Sequence, residues 1–167
     1  MSTPEFLREF KALHEKAKRG SLAPAERARY DALRPQFDRM VMIAQQLGHA
    51  GRTLRATLRM AKLLKVEIRP DGGEPVRAST IDLASGGFAS LLPAGMRVGA
   101  GADFTLFLPA GAGRTTPIVG RVTVASSRPQ TGAFRVSFKF EPLEREAKEL
   151  LDVTLIDAVL ERFGEMP

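Results

Sequence analysis

From residue 60 to residue 140 glycine and proline break the chain into six short runs, and along them apolar side chains alternate with polar or small ones. The runs are Leu64–Ile68, Val76–Leu83, Gly87–Leu92, Phe104–Leu108, Ile118–Ala125 and Phe134–Phe140. A period of two buries one face of an extended strand and leaves the other to solvent. Between them lie Pro70-Asp71-Gly72-Gly73, Gly86-Gly87, Pro93-Ala94-Gly95, Pro109-Ala110-Gly111-Ala112-Gly113 and Pro129-Gln130-Thr131-Gly132. These residues take turn dihedrals at little cost. No helical stretch intervenes, so a βαβ fold is disfavoured and an antiparallel barrel or sandwich is expected.

Both flanks read as helices. Over residues 3–19, Phe6, Phe10, Leu13 and Ala17 form one stripe. Ser2 and Glu5 have capping-box spacing, Pro4 suits the first turn, and Gly20 is a natural stop. A second helix from Pro24 to about Leu47 carries Ala28, Leu33, Phe37, Met40, Val41, Ala44 and Leu47, with a kink or break expected at Pro35. The two make a helical hairpin, assigned to residues 1–51, whose apolar stripes need a partner surface. A closing helix from Pro142 to about Phe163 presents Leu143, Ala147, Leu150, Leu151, Ile156, Val159, Leu160 and Phe163, a face wide enough to cover an open barrel end. Residues 52–167 are taken as the barrel domain with this helix.

The net charge of +6 lies wholly in the first third: residues 1–59 hold 12 Lys and Arg against 6 Asp and Glu, and the rest is balanced. That favours an anionic partner there. Phe6, Phe10, Tyr30 and Phe37 sit mostly on apolar stripes and are not interleaved with the basic face, so nucleic-acid binding is not expected. The chain has no cysteine, and His14 and His49 lack metal-type neighbours, so no metal or cofactor is expected. No basic leader and no run of roughly 18 apolar residues is visible, and the expectation is a cytoplasmic protein without membrane insertion. A phosphate loop, a nucleophile elbow and a paired acid–base set are all missing, which argues against an enzyme.

Two short constellations carry chemistry. Arg55-Ala56-Thr57-Leu58-Arg59 stands directly before the first strand, with Arg52 one turn earlier. On a helix Arg55 and Arg59 share a face; on a bent linker both can wrap a ligand. The guanidinium fork matches phosphate oxygens and the acceptor edge of guanine. The second constellation is Asp82-Leu83-Ala84-Ser85-Gly86-Gly87, between the second and third strands. Asp82 can accept from guanine-type N–H donors or cap its own turn, and Ala84 leaves room for a flat group. Gly86 and Gly87 permit positive φ and a close backbone approach. Each pattern alone also fits ordinary structure, a solvated helix end in one case and a tight hairpin in the other.

Together and in this order, Arg-x-x-x-Arg and Asp-x-Ala-x-x-Gly resemble the paired motifs of the PilZ family, small bacterial β-barrels that bind cyclic di-GMP. Gly120-Arg121-Val122-Thr123-Val124 and Phe134-Arg135-Val136-Ser137-Phe138-Lys139-Phe140 resemble the family's fifth and closing strands. The likeness covers about residues 52–163 and omits the hairpin. It implies a mainly-β fold, a six-stranded antiparallel β-barrel with an N-terminal helical hairpin and a C-terminal helix. It implies cyclic di-GMP as ligand, with Arg55 and Arg59 on its phosphates and guanine edges. Asp82 would accept from a guanine, Ala84 would stand where serine is commoner, and Gly87 would let the backbone turn under the base. Arg52 and Gly86 are additional candidates. The expected function is a receptor that relays the nucleotide to a protein partner through the N-terminal helices. The alternative is an adaptor of the same fold that no longer needs nucleotide. The hairpin stripes also leave a homodimer open.

Overall fold

The computed structural model describes residues 2–47, 59–60 and 63–164. The helices are α1 (Thr3–Lys18), α2 (Pro24–Leu47) and α3 (Arg145–Gly164). The strands are β1 (Arg59–Met60), β2 (Lys65–Pro70), β3 (Val76–Ala84), β4 (Gly87–Leu92), β5 (Gly101–Pro109), β6 (Thr115–Gln130) and β7 (Ala133–Phe140). The described residues fall into two compact units: α1, α2 and α3 from Ile156 in one, the strands and α3 to Leu155 in the other.

In the strand unit the order β3-β2-β5-β6-β7-β4 closes on itself, because β4 also pairs with β3. Every pairing is antiparallel. The six runs read from the sequence are thus the six staves of a closed barrel, and closure leaves none of them as an edge. Their inward positions fill the interior: Val66 and Ile68, Ala102, Phe104, Leu106 and Leu108, Val122 and Val124, Val136 and Phe138 are all buried. The strand β1, which period two did not reveal, adds one short rung on β3, Arg59 opposite Ala84 and Met60 opposite Leu83.

Two bulges break the alternation. On β3 the register shifts between Thr80 and Asp82, and on β6 between Val124 and Ser126. Each inserts one residue, so the side chains beyond it change face. Without the first bulge Asp82 would point inward beneath buried Thr80; with it, Leu83 is the next inward residue and Asp82 turns outward. Thr80 is buried without loss, because its backbone N–H donates to the Leu64 carbonyl (2.8 Å) and its hydroxyl accepts from the Leu64 N–H (3.0 Å).

In the helical unit the expected capping box is present: the Glu5 N–H donates to Ser2 Oγ and the Ser2 N–H to Glu5 Oε2 (2.8 Å). Phe6, Phe10 and Leu13 of α1 meet Tyr30, Leu33, Phe37 and Val41 of α2 in one core. The four aromatics are interior and unavailable for stacking on bases. Ala28, which the stripe included, is exposed, and Tyr30, which it did not include, is buried. Of the kink or break expected at Pro35, the break does not occur: α2 continues through it as one helix. Residues on both sides of Pro35 bury in the same core, which offsets the single backbone bond that proline removes. A larger correction concerns the closing helix. Ile156, Val159 and Leu160 join the core of α1 and α2, so the apolar face of α3 is not wholly a cover for the barrel end, and Leu150 is exposed.

His14 is fully buried in this core. Its Nδ1 lies 3.0 Å from the Tyr30 hydroxyl, and its Nε2 lies 3.4 Å from Asp157 Oδ1, which Lys18 also holds at 2.8 Å. Burial pushes the imidazole pKa below its ordinary value; Asp157 acts in the opposite direction and Lys18 reinforces burial. A histidine with a lowered folded pKa contributes stability that is present above its unfolded pKa, near 6.5, and is lost as pH falls below it. The helical melting temperature should therefore drop between pH 7.5 and pH 5.5. Melting followed at 222 nm should show a flatter dependence in His14→Leu over that range; an equal slope in both proteins would show that His14 is not the titrating group.

Candidate ligand site

The turn between β3 and β4 is built by Ser85 and Gly86, with Ala84 and Gly87 facing each other across it. Neither Gly86 nor Gly87 has a positive φ, which corrects the sequence expectation. Gly87 is needed for another reason. A Cβ placed there would run into the carbonyl oxygen of Phe138 and lie 3.2 Å from the Cα of Lys139. Gly87 lets β4 lie tight against β7, whereas Gly86 has open space around it. The Gly86 carbonyl accepts from the Phe140 N–H at 2.9 Å, which ties the turn to the end of β7.

Pairing register sets the last residue of the first motif beside the second motif. Arg59 stands opposite Ala84, Ala84 opposite Gly87, and Gly87 opposite Lys139, a single row across β1, β3, β4 and β7. The next row that faces outward runs from Asp82 through Ala89 and Ser137 to Ser126. Of the candidate residues, Arg59, Asp82, Ala84, Gly86 and Gly87 therefore cluster at one end of the β3–β4 hairpin. Arg52 and Arg55 lie outside the described residues. For Arg59 the placement is that of its backbone, which is extended and not helical.

Asp82 is 19 % exposed, and the Arg135 Nη2 lies 3.7 Å from its Oδ2. Sequence reading missed Arg135 as part of this neighbourhood. Alternation along Phe134–Phe140 already places Arg135, Ser137 and Lys139 on the outer face of β7. What the sequence lacks is the strand order that sets β7 two strands from β3. Arg121, quoted in the fifth-strand resemblance, does something else: its guanidinium meets Asp71 at 2.7 Å, Asp103 at 2.9 Å and Glu141 at 3.8 Å. Those carboxylates hold its pKa well above the ordinary value, the Asp71 and Asp103 hydrogen bonds first. It stitches the β2–β3 turn to β5, β6 and the segment after β7, and its charge is already compensated. Among the described residues no group of His, Cys, Asp or Glu side chains is arranged to hold a metal. No described helix is long and apolar enough to cross a membrane.

The barrel is shared with known proteins. The structure of the Bacillus subtilis inhibitor of motility (MotI/DgrA) superposes with a TM-score of 0.57 at 17% identity, over 69% of this chain and 54% of that one. The K. pneumonia MrkH–c-di-GMP complex gives 0.55 at 15% identity, over 69% and 57%. Escherichia coli YcgR in complex with c-di-GMP gives 0.50 at 20% identity, over 66% and 47%. The chain thus spans about half the length of these proteins, and at such identities the likeness is one of fold. No curated protein matches it significantly by sequence. The profile of the PilZ domain matches residues 53–156, which takes in all seven strands and both constellations from Arg55 onward. With that match over more than half of its length, and a closed six-stranded barrel beneath it, the chain belongs to the PilZ domain family.

Proposed function

We propose that this chain is a receptor for cyclic di-GMP that relays occupancy to a protein partner through its N-terminal helices. The observation that carries the reading is the register row Arg59–Ala84–Gly87. It lays the backbone of Arg59 beside the end of the β3–β4 hairpin that carries Asp82, and this supports a site in which donors for phosphate and an acceptor for guanine N–H groups would meet on one edge. Arg55 and Arg59 would engage phosphates and guanine edges, with Arg52 and Gly86 as additional contacts. Asp82 would accept from a guanine. Ala84 is 8% exposed and offers no hydroxyl. Loss of one such hydrogen bond weakens binding by about 0.5–1.5 kcal/mol. Relatives of the same fold solved with c-di-GMP, MrkH and YcgR, support the choice of ligand. This is a binding role with no catalytic step.

One observation favours the adaptor reading. Gly87 is fully accounted for by the packing of β4 on β7, so that part of the second motif would persist without any ligand. Calorimetric titration with cyclic di-GMP separates the two. We expect saturable binding by the wild type. In Arg55→Ala/Arg59→Ala it should fall by about thirtyfold or more, the scale for truncating charged hydrogen-bonding groups, with the melting temperature retained. A wild type that takes up no nucleotide would leave the adaptor reading standing. In that case the hairpin, as a heteromeric or homodimeric surface, becomes the place to look for a partner.

A further inference from the structure

We propose that Arg135, backed by Arg128, forms a second cationic wall of the ligand site and holds a phosphate of the bound dinucleotide on the side of Asp82 away from β1. The inference rests on the cyclic di-GMP reading and extends that site to residues that neither family motif contains.

Both bulges of the barrel act on the same outer surface. The one on β3 turns Asp82 outward, and the one on β6 turns Ser126 and Arg128 outward, each from a phase that would have pointed it into the core. Bulges recur beside functional sites, where they re-aim a side chain at a cost in ladder hydrogen bonds. Between these two strands lie only β4 and β7.

Register then fixes who meets whom. Arg128 on β6 is directly opposite Arg135 on β7. Like charges placed directly opposite destabilise a sheet, because their Cβ atoms are about 5 Å apart. Asp82 answers only one of them: Arg135 approaches it at 3.7 Å, and among the described residues Arg128 has no ion-pair partner. To reach Asp82, Arg135 must cross β4, where Leu91 stands opposite Arg135 and Ala89, only 4% exposed, stands opposite Asp82. The Arg135 side chain remains 40% exposed. A pair this long and this open stabilises the fold very little. Fold stability therefore does not explain two bulges and an opposed arginine pair on one surface, whereas an anion seated between the guanidinium groups does.

The chemistry suits a phosphodiester. Two planar forks that start side by side on one surface can share its two free oxygens. Arg135 would at the same time hold the Asp82 carboxylate in place for a guanine edge. The dinucleotide has two phosphates, and β1, which begins at Arg59, pairs with β3 on the side away from β4. Each cationic wall would then take one of them.

The test is titration of the full chain with cyclic di-GMP at low and high salt, using wild type, Arg135→Ala, Arg135→Lys and Arg128→Ala, with Arg114→Ala on the exposed β5–β6 turn as control. We expect Arg135→Ala to weaken binding at least tenfold, Arg128→Ala less, and Arg114→Ala not at all. Arg135→Lys should restore part of the loss, because it returns the charge without the fork. Since screening acts on the phosphate contact, the wild-type affinity should fall more steeply with salt than that of Arg135→Ala. Absence of wild-type binding overturns the receptor reading and this inference with it. Wild-type binding with Arg135→Ala within twofold of it overturns this inference alone. A tenfold loss with unchanged salt dependence would make Arg135 a positioning residue for Asp82 and also defeat the second wall.

Discussion

Replacing Phe10 with alanine is expected to unfold the helical unit while the barrel strands keep their protection. The Phe10 ring is fully buried. It stacks on Phe37 at 4.5 Å between centroids, on Tyr30 at 5.3 Å, and more loosely on Phe6 at 6.1 Å and His14 at 6.4 Å. Truncation removes the transfer free energy of a buried ring and leaves a cavity among rigid aromatics that cannot collapse into it, a loss of about 3–5 kcal/mol. That is a large share of what a unit of this size can hold. Because Ile156, Val159 and Leu160 share the core, the end of α3 should lose amide-exchange protection together with α1 and α2. Exchange read by mass spectrometry would show this as faster deuteration of α1, α2 and the segment after Ile156, with β2 to β7 unchanged. Equal acceleration in the strands would mean that the two units unfold as one.

Much of this architecture could be read before any coordinates. Period-two alternation and the Gly/Pro breaks placed five staves within three residues of their ends, but gave only the middle of β6, which runs from Thr115 to Gln130 through the expected break at Pro129. Ser2, Glu5 and Gly20 marked the limits of α1, because caps and stops are local chemistry. What escaped was non-local. Period two cannot show a bulge until a partner strand exists to be out of step with, so the outward turn of Asp82 and Arg128 was invisible. The two-residue β1 is too short to have a period. The destination of Ile156, Val159 and Leu160 was misjudged because a stripe states that a helix buries a face, not against what. The burial of His14 was not legible for a similar reason: its partners Tyr30 and Asp157 come from other helices, 16 and 143 positions along the chain. The motif residues themselves were legible as types and spacing. That the Asp82 turn lies within reach of Arg135 depended on the ring order β3-β4-β7.

The second large effect separates what a motif residue does for the barrel from what it does for a ligand. Gly87→Ala is expected to destabilise the barrel by about 3 kcal/mol or more, the upper range for overpacking a closed interior. The added methyl meets backbone, the carbonyl of Phe138, and cannot be relieved by a side chain swinging aside. Relief requires β4 to move off β7 along the row Gly87–Lys139, which breaks the closing pairs of the ring. Gly86→Ala makes the sharper control, since the two positions are adjacent in the same turn. Gly86 has open space and no positive φ, so alanine there should be neutral or stabilise by about 0.4–1 kcal/mol through the unfolded chain. Denaturant midpoints of the two variants against wild type decide the matter, and similar midpoints would refute the packing account. If the difference is as large as expected, loss of nucleotide binding in a Gly87 variant reports a deformed barrel first. The ligand contacts must then be read from Arg55, Arg59, Asp82 and Arg135, whose side chains can be truncated without asking two strands to part.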